Sequence, residues 1–303
     1  FRRVLFRSMS DLKIVCIPAF NEENMIGTIV KKSKQFADKV IVCDDGSTDE
    51  TFKNAQNAGA EVLKHKKNEG KGAAMKTLFE HVKKIEAKVI VTIDGDGQFL
   101  TEEIPKIMKP ILDDDVDIVI GYRFDNTTEM PTYRKMGNKM LDKFTNLAAE
   151  LPFRDTQGGF RAYSKNAINS IKISTKGFGV DSEILVDASN KGLKISEEKV
   201  TVIYNTGYET STKAALPHTG EVLGSLIELI AIKHPLRYLG IPGVTLMITG
   251  IIFAIFVLIT FNEIRYFSIP YTLISVATTI IGLILLLMSV VLYSISIIVK
   301  RKT

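Results

Sequence analysis

Asp94 and Asp96, two carboxylates separated by one residue, close the short, mainly apolar run Val91-Thr92-Ile93, with Gly95 between them and Gly97-Gln98 behind. This pattern suits a divalent cation that holds a diphosphate. Mg²⁺ and Mn²⁺ take oxygen ligands and keep coordination positions for substrate phosphates. The two glycines let the backbone turn tightly and approach a ligand. Asp and Gly are also the ordinary residues of tight turns, so the pattern alone fits a plain turn equally well. Two other apolar runs end in polar clusters. Residues 14–17 lead into Pro18-Ala19-Phe20-Asn21-Glu22-Glu23, and residues 40–43 into Asp44-Asp45-Gly46-Ser47. Parallel α/β sheets bind ligands outside the carboxyl ends of their strands. Three acidic clusters gathered there repel one another unless a cation or hydrogen-bond donors offset them. A metal and nucleotide site explains the three better than coincidence.

A fourth stretch, Asn68-Glu69-Gly70-Lys71-Gly72, opens a predicted helix. Free backbone N–H groups and Lys71 there favour phosphate; a solvated lysine at a helix start is the alternative. The stretch is not a Walker loop, because Gly72 stands where Ser or Thr is required. No Gly-x-Gly-x-x-Gly follows the first strand, which argues against a dinucleotide cofactor.

The elements that must position these groups alternate. Strands are expected at 14–17, 40–43, 61–63, 89–93 and 116–120, with helices at 23–36, 71–86 and 102–112. A further helix is opened by a Ser47/Glu50 capping box and closed by Gly59. Apolar strands without clear alternation, interleaved with helices, predict a parallel sheet covered on both faces. Beyond residue 121 the pattern is less regular and predicts a mixed sheet with longer loops.

From residue 241 the chemistry changes. Residues 241–261 carry no charge and are long enough for a bilayer helix, which needs ~20 apolar residues. Residues 269–299 form a second uncharged stretch, in which a span over 270–299 crosses with tilt. The alternative is a buried hairpin of a soluble protein. Lys233 and Arg237 precede the first span and Lys300, Arg301 and Lys302 follow the second, whereas the connection carries only Glu263 and Arg265. The positive-inside rule then puts both ends, and the domain that precedes the spans, in the cytoplasm. Residues 216–240, with apolar positions from Val222 to Ile230, read as a juxtamembrane amphipathic helix; an ordinary core-facing helix is the alternative.

Composition narrows the function classes. The 303-residue chain has a formal charge of +5. Residues 1–8, Phe-Arg-Arg-Val-Leu-Phe-Arg-Ser, resemble the translation of a sequencing adapter and are expected to be a non-native leader, with Met9 as the start. Without Arg2, Arg3 and Arg7, 36 basic residues face 34 acidic ones and the balance falls to +2. A basic nucleic-acid-binding protein is therefore a poor reading. Cys16 and Cys43 read as small buried hydrophobes in a reducing compartment. The four histidines show no metal-ligand spacing.

Pro-Ala-Phe-Asn-Glu-Glu, Asp-Asp-Gly-Ser-Thr-Asp, Asn-Glu-Gly-Lys-Gly and Asp-Gly-Asp-Gly-Gln-Phe occur in order. Together they resemble the family 2 glycosyltransferases of GT-A fold, specifically the polyprenyl-phosphate sugar synthases (the dolichyl-phosphate mannose and glucose synthase group). The resemblance covers residues 12 to about 215 and implies an α/β, Rossmann-like nucleotide-sugar domain over 9–215, followed by the two-helix transmembrane hairpin in 241–303. It implies that Pro18, Ala19, Asn21 and Glu22 line the nucleotide pocket with Asp45 beside the base. It implies that Asp94 and Asp96 hold Mg²⁺ or Mn²⁺ with the diphosphate, that Gln98 supports the metal or the sugar, and that Arg123 and Arg134 lie near the phosphates. Asp155 falls in an acceptor-side loop that runs to Arg161, and Asp181 and Glu183 shape the sugar pocket. Arg123 and Arg161 as surface ion pairs, and Asp155 as a loop cap, are the alternatives. One departure is visible. Where relatives carry an arginine before Gly-x-Ser-Lys, this chain reads Tyr208-Glu209-Thr210-Ser211-Thr212-Lys213; Lys213 remains a candidate phosphate contact, and the arginine contact is missing.

The implied reaction is metal-dependent, inverting transfer of one hexose from a nucleotide-sugar to polyprenyl phosphate at the membrane. UDP-glucose or a UDP-N-acetylhexosamine is the expected donor and GDP-mannose the alternative. A homo-oligomer is possible. A processive polysaccharide synthase is disfavoured, because its Gln-x-x-Arg-Trp motif needs a tryptophan and the chain has none. A pyrophosphorylase is disfavoured by the missing Gly-rich, arginine-bearing loop after the first strand. A non-catalytic nucleotide-sugar-binding scaffold is opposed by the presence of every acidic motif residue.

Overall fold

The computed structural model describes residues 12–113, 116–123, 139, 142–143, 145–146, 152–174, 179–203 and 235–302. The proposed leader, Arg134, Lys213 and the stretch expected to form the juxtamembrane helix up to residue 234 lie outside the described residues. The chain divides into two compact units, Phe1–Leu226 and Ile227–Thr303.

In the first unit the strands are β1 (Leu12–Ala19), β2 (Lys39–Asp44), β3 (Glu61–Lys64), β4 (Ala87–Thr92), β5 (Ile118–Tyr122), β6 (Arg161–Ser164) and β7 (Ile195–Lys199). The helices are α1 (Ile26–Ser33), α2 (Thr51–Asn57), α3 (Lys71–Val82), α4 (Ile104–Leu112), α5 (Lys165–Ser170) and α6 (Val180–Asn190). The sheet order is β3-β2-β1-β4-β6-β5-β7. β1 pairs in parallel with β2 and β4, and β6 runs antiparallel to both β4 and β5. The strand order reverses beside β1, so the crevice at the carboxyl ends of β1 and β4 is where a ligand is expected.

Strands rich in Val and Ile are buried on both faces. Val15 and Ile17 of β1 join Val40, Val42, Val89 and Val91 in a core that includes Ile26 and Ile29 of α1 and Ile104 and Ile107 of α4. Ile14 and Cys16 point the other way and join Ile41, Cys43 and Ile90 in a second core with Leu78 and Phe79 of α3 and Ile184 of α6. Each such side chain stabilises the fold by roughly 1.5–3 kcal/mol on burial.

Three sequence expectations are corrected. Ser47 and Glu50 do not form a capping box: α2 starts at Thr51 with no side-chain cap, and the Ser47 hydroxyl accepts instead from the backbone N–H of Asn21 at 3.0 Å. Helix α1 begins at Ile26, not at residue 23, because Glu23 is used in the loop, where its Oε2 accepts from Glu50 N. Helix α3 ends at Val82, four residues early.

The second unit holds α7 (Ile241–Ile264) and α8 (Ile269–Lys302), with a π-helical turn at Leu236–Gly240 before α7. Both helices are long and apolar enough to cross a membrane, and their apolar windows are only 11% and 17% buried. They pack backbone to backbone. A Cβ on Gly243 would lie 2.8 Å from the Gly282 carbonyl, and one on Gly282 would lie 2.6 Å from the Gly243 carbonyl. Ser275 Oγ donates to the Gly250 carbonyl at 2.7 Å. Small residues and hydroxyl bonds of this kind hold helices together in lipid.

Candidate active site at the carboxyl edge of the sheet

The loops after β1 and β2 are stitched into one framework. Asp45 N donates to the Ala19 carbonyl at 2.8 Å, and Glu22 N donates to Thr51 Oγ1 at 2.7 Å. Asn21 adopts a left-handed backbone, φ 56°, and its Oδ1 accepts from Thr48 N at 2.9 Å. Asp45 is buried, and its carboxylate accepts from Glu69 N at 3.0 Å and Gly70 N at 2.8 Å. Those bonds seat the loop before α3. Gly46, φ 72°, admits no side chain, because a Cβ there would overlap the backbone of Lys67.

Next to this framework the turn after β4 carries the paired carboxylates. Gly95 faces the β1 loop; a Cβ on it would touch the Pro18 carbonyl at 3.3 Å and Ala19 Cβ at 3.5 Å. Lys71, the first residue of α3, places its Nζ 3.0 Å from Asp94 Oδ1 and 2.9 Å from Asp181 Oδ2. Burial by itself disfavours the ammonium, but the carboxylates of Asp181 and Asp94 outweigh it and Lys71 titrates well above an ordinary lysine. The Asp96 carboxyl is pushed up to about 6, first by burial and then by the charge of Asp94, while Gln98 N donates to Asp96 Oδ1 at 3.0 Å and opposes the shift. The Gln98 carbonyl accepts from Ile203 N at 2.9 Å. Gln98 thus braces Asp96 through its main chain.

Across the turn lies the segment that enters β6. Gly159 packs so closely on Asp94 that a Cβ would overlap both carboxylate oxygens. Thr92 Oγ1 donates to the Gly159 carbonyl at 2.9 Å and fixes that approach. Asp155 is fully buried and grips Arg123 through two parallel bonds, Nε–Oδ2 at 2.6 Å and Nη2–Oδ1 at 2.8 Å. A third bond runs from Arg123 N to Asp155 Oδ2 at 3.1 Å. Bidentate arginine–carboxylate pairs of this type fix the guanidinium plane.

Arg161 is not a surface ion pair. It is fully buried, and it donates to the carbonyls of Gly158 at 2.9 Å, Thr156 at 2.7 Å and Asp181 at 2.8 Å. It therefore ties the Thr156–Gly158 loop to the start of α6, where Asp181 meets Lys71. Gln157 Nε2 donates to Ser182 Oγ at 2.8 Å, which adds to the same joint. The Glu183 carboxylate accepts from Ser174 N at 2.9 Å.

The structure thus brings Pro18, Ala19, Asn21, Glu22, Asp45, Lys71, Asp94, Asp96 and Gln98 together at the carboxyl ends of β1, β2 and β4, the loops that follow them and the start of α3. Arg123 and Asp155 form their own pair, and the positive charge of Arg123 is felt at Asp96. Sequence reasoning included Gly159 only as part of the Asp155–Arg161 loop, with no role of its own, and gave no role to His65, which bonds Asp45. Among the described residues no three His, Cys, Asp or Glu side chains form a metal cage. Two carboxylates with mutual repulsion are nevertheless a hard-oxygen donor set that fits a divalent ion sharing its remaining positions with phosphate oxygens.

Comparison with known proteins gives the family and the fold. A model of glycosyl transferase family 2 matches residues 14–172. A UDP-N-acetylglucosamine–dolichyl-phosphate N-acetylglucosaminyltransferase of Methanococcus voltae is 34% identical over 220 residues, 65% of this chain and 88% of that protein. A polyprenol monophosphomannose synthase of Mycolicibacterium smegmatis is 25% identical over 202 residues, 62% of this chain and 76% of that protein. Among solved structures, a glucosyl-3-phosphoglycerate synthase of Mycobacterium tuberculosis, in complex with Mn²⁺, UDP and glucosyl-3-phosphoglycerate, superposes with a TM-score of 0.59 at 20% identity. It covers 73% of this chain and 80% of its own. That likeness is one of fold.

Proposed function

The chain belongs to glycosyl transferase family 2, and from that premise we propose that it moves one hexose from a nucleotide-sugar to polyprenyl (dolichyl) phosphate, with inversion at the anomeric carbon. The observation that carries this reading is the meeting of Asp94, Lys71 and Asp181 at the crevice beside β1, with Lys71 within ion-pair distance of both carboxylates. The relative from Methanococcus voltae is named for UDP-N-acetylglucosamine and dolichyl phosphate, which supports a UDP-linked donor and a lipid phosphate acceptor. GDP-mannose is the other donor to test.

In this reading Asp94 and Asp96 hold Mg²⁺ or Mn²⁺ against the diphosphate, and Gln98 braces Asp96. The bound ion supplies Lewis-acid neutralisation of the departing diphosphate. Pro18 to Glu22 and Asp45 form the nucleotide wall. Lys71 balances charge between Asp94 and Asp181. Arg123, held flat by Asp155, faces the phosphates, and Arg134 and Lys213 are further phosphate contacts from outside the described residues. The acceptor phosphate is largely ionised at neutral pH, given a second pKa of ~6 for phosphate monoesters of side chains. It needs little general-base help, so Asp155 acts through Arg123 and not as a base. The flanking Lys233, Arg237, Lys300, Arg301 and Lys302 support a cytoplasmic catalytic domain, with 263–265 on the far side.

The test is to incubate membranes holding the full chain with labelled UDP-glucose, UDP-N-acetylglucosamine or GDP-mannose, polyprenyl phosphate, and Mn²⁺ or chelator. A single-sugar lipid that forms only with metal is the expected product. Label in long sugar polymers, or equal product with chelator, would overturn the reading.

A further inference from the structure

His65 takes no part in the roles assigned above, yet its surroundings are specific. It follows β3 directly, and its main-chain N–H donates to the Asp44 carbonyl at 2.9 Å. The ring is largely buried between the β2 loop and α3. Its Nδ1 lies 2.6 Å from Asp45 Oδ1, and its Nε2 lies 2.9 Å from Thr77 Oγ1 in α3. Cys43 Sγ is a more distant neighbour of Nε2 at 3.7 Å. An ionised carboxylate only accepts, so Nδ1 is the donor to Asp45. Thr77 can donate to or accept from Nε2, which leaves both ring nitrogens partnered.

The Asp45 carboxylate is the hub of this arrangement. It collects three donors: His65 Nδ1 from the end of β3, and the main-chain N–H groups of Glu69 and Gly70 from the loop before α3. The next residue is Lys71, whose ammonium reaches Asp94 and Asp181. The imidazole also holds α3 further along its length, through Thr77. One ring therefore sets both the rotation of the Asp45 carboxylate and the position of α3 relative to it. A hydrogen-bonded partner that orients a functional group in this way is a general feature of precise sites.

We propose that His65 is a positioning residue for the donor nucleotide: its Nδ1–H holds Asp45 in the orientation that receives the base and seats Glu69–Lys71 against Asp94. This rests on the nucleotide-sugar reading above.

The test separates the hydrogen-bond donor from the bulk of the ring. His65→Asn keeps an N–H near the Nδ1 position but loses volume. His65→Leu has nearly the shape of Asn without the N–H, and His65→Phe keeps a ring without one. Full-length protein in detergent is titrated with UDP and, separately, GDP in the presence of Mn²⁺, and donor KM and kcat are measured alongside thermal unfolding. His65→Leu and His65→Phe are expected to weaken nucleotide binding roughly tenfold, the scale of one lost charge-assisted hydrogen bond. Donor KM should rise with it while kcat changes less, and His65→Asn should recover most of the affinity. Equal loss in Asn and Leu, or wild-type binding by a folded Phe variant, would overturn the proposal and leave the nucleotide-sugar reading standing. Failure of the wild-type chain to bind either nucleotide would overturn both.

Discussion

Asp155 and Arg123 are joined side by side, carboxylate to guanidinium, with Asp155 fully buried and the charge of Arg123 felt at Asp96. The pair makes Asp155 a device for aiming an arginine. Asp155→Asn should lower kcat by roughly a hundredfold, about 2.7 kcal/mol in transition-state terms, with donor KM moved less than about threefold. Asp155→Ala leaves the arginine without its buried partner and should also destabilise the fold by about 3 kcal/mol. Steady-state kinetics and thermal unfolding of both variants check this; an unchanged kcat in Asp155→Asn would remove Arg123 from the transition state.

Gly159 and Asp94 make a second test. Because a Cβ at 159 overlaps both Asp94 oxygens, Gly159→Ala must push that carboxylate aside. Transfer activity should fall at least about tenfold and the Mn²⁺ requirement should rise, since a small misplacement of a reacting group costs on that order. Asp94→Ala and Asp96→Ala should abolish metal-dependent transfer altogether. Mn²⁺ titrations of activity across the three variants read both effects.

Asp142 supplies a pH dependence. It is buried and accepts from Thr156 N and Thr156 Oγ1, both at 2.7 Å. Burial pushes its carboxyl up to about 6 from the ordinary 3.8, with the charge of Asp155 adding to the rise and the Thr156 bonds opposing it. The folded state therefore holds a proton that the unfolded state releases between these values. Stability from this group is fully present below the ordinary carboxylate value and is lost as the pH rises through about 6. Asp142→Asn keeps an acceptor for Thr156 without the charge. It should stabilise the protein at about pH 8 by roughly 3 kcal/mol, because the rise from 3.8 to about 6 is worth about 1.36 kcal/mol for each tenfold change in proton affinity. At low pH, near 4, it should change little. Unfolding curves at the two pH values decide it; equal effects at both would refute the assignment.

The helical hairpin offers a fourth. Gly282→Leu drives a side chain into the Gly243 carbonyl and the Met247 backbone. Overpacking a close helix contact costs about 1–3 kcal/mol. The variant should unfold at lower temperature in detergent, whereas Leu283→Ala, on an exposed position of α8, should not.

Much of this architecture is legible in the residue pattern, for identifiable reasons. β1, β2 and β4 are buried on both faces, so their Val and Ile runs announce strands, and the polar residues that end them announce the edge where they meet. β6 gives no such sign. Its sequence, Arg-Ala-Tyr-Ser, mixes polarity because Arg161 is satisfied internally by three carbonyls, a long-range arrangement that no local pattern encodes. β7, Ile-Ser-Glu-Glu-Lys, is a half-exposed edge strand whose charges hide its pairing with β5. The capping box failed because Ser47 found a partner 26 residues away in Asn21. Asp45, Asp94 and Asp96 were visible as chemistry; Gly159, which packs on Asp94, and His65, which bonds Asp45, were not, because each matters through a contact with a residue far off in the chain.

The reversed direction of β6 has one further consequence. A strand that runs against its neighbours delivers its amino end to the edge where they deliver their carboxyl ends. The Thr156–Phe160 segment thus enters the crevice on the way into the sheet, while the loops after β1, β2 and β4 enter on the way out. One wall of the crevice is built by the amino-terminal strands and the other by a separate stretch of chain. That incoming segment can therefore change in length or composition without shifting the register of β1, β2 or β4.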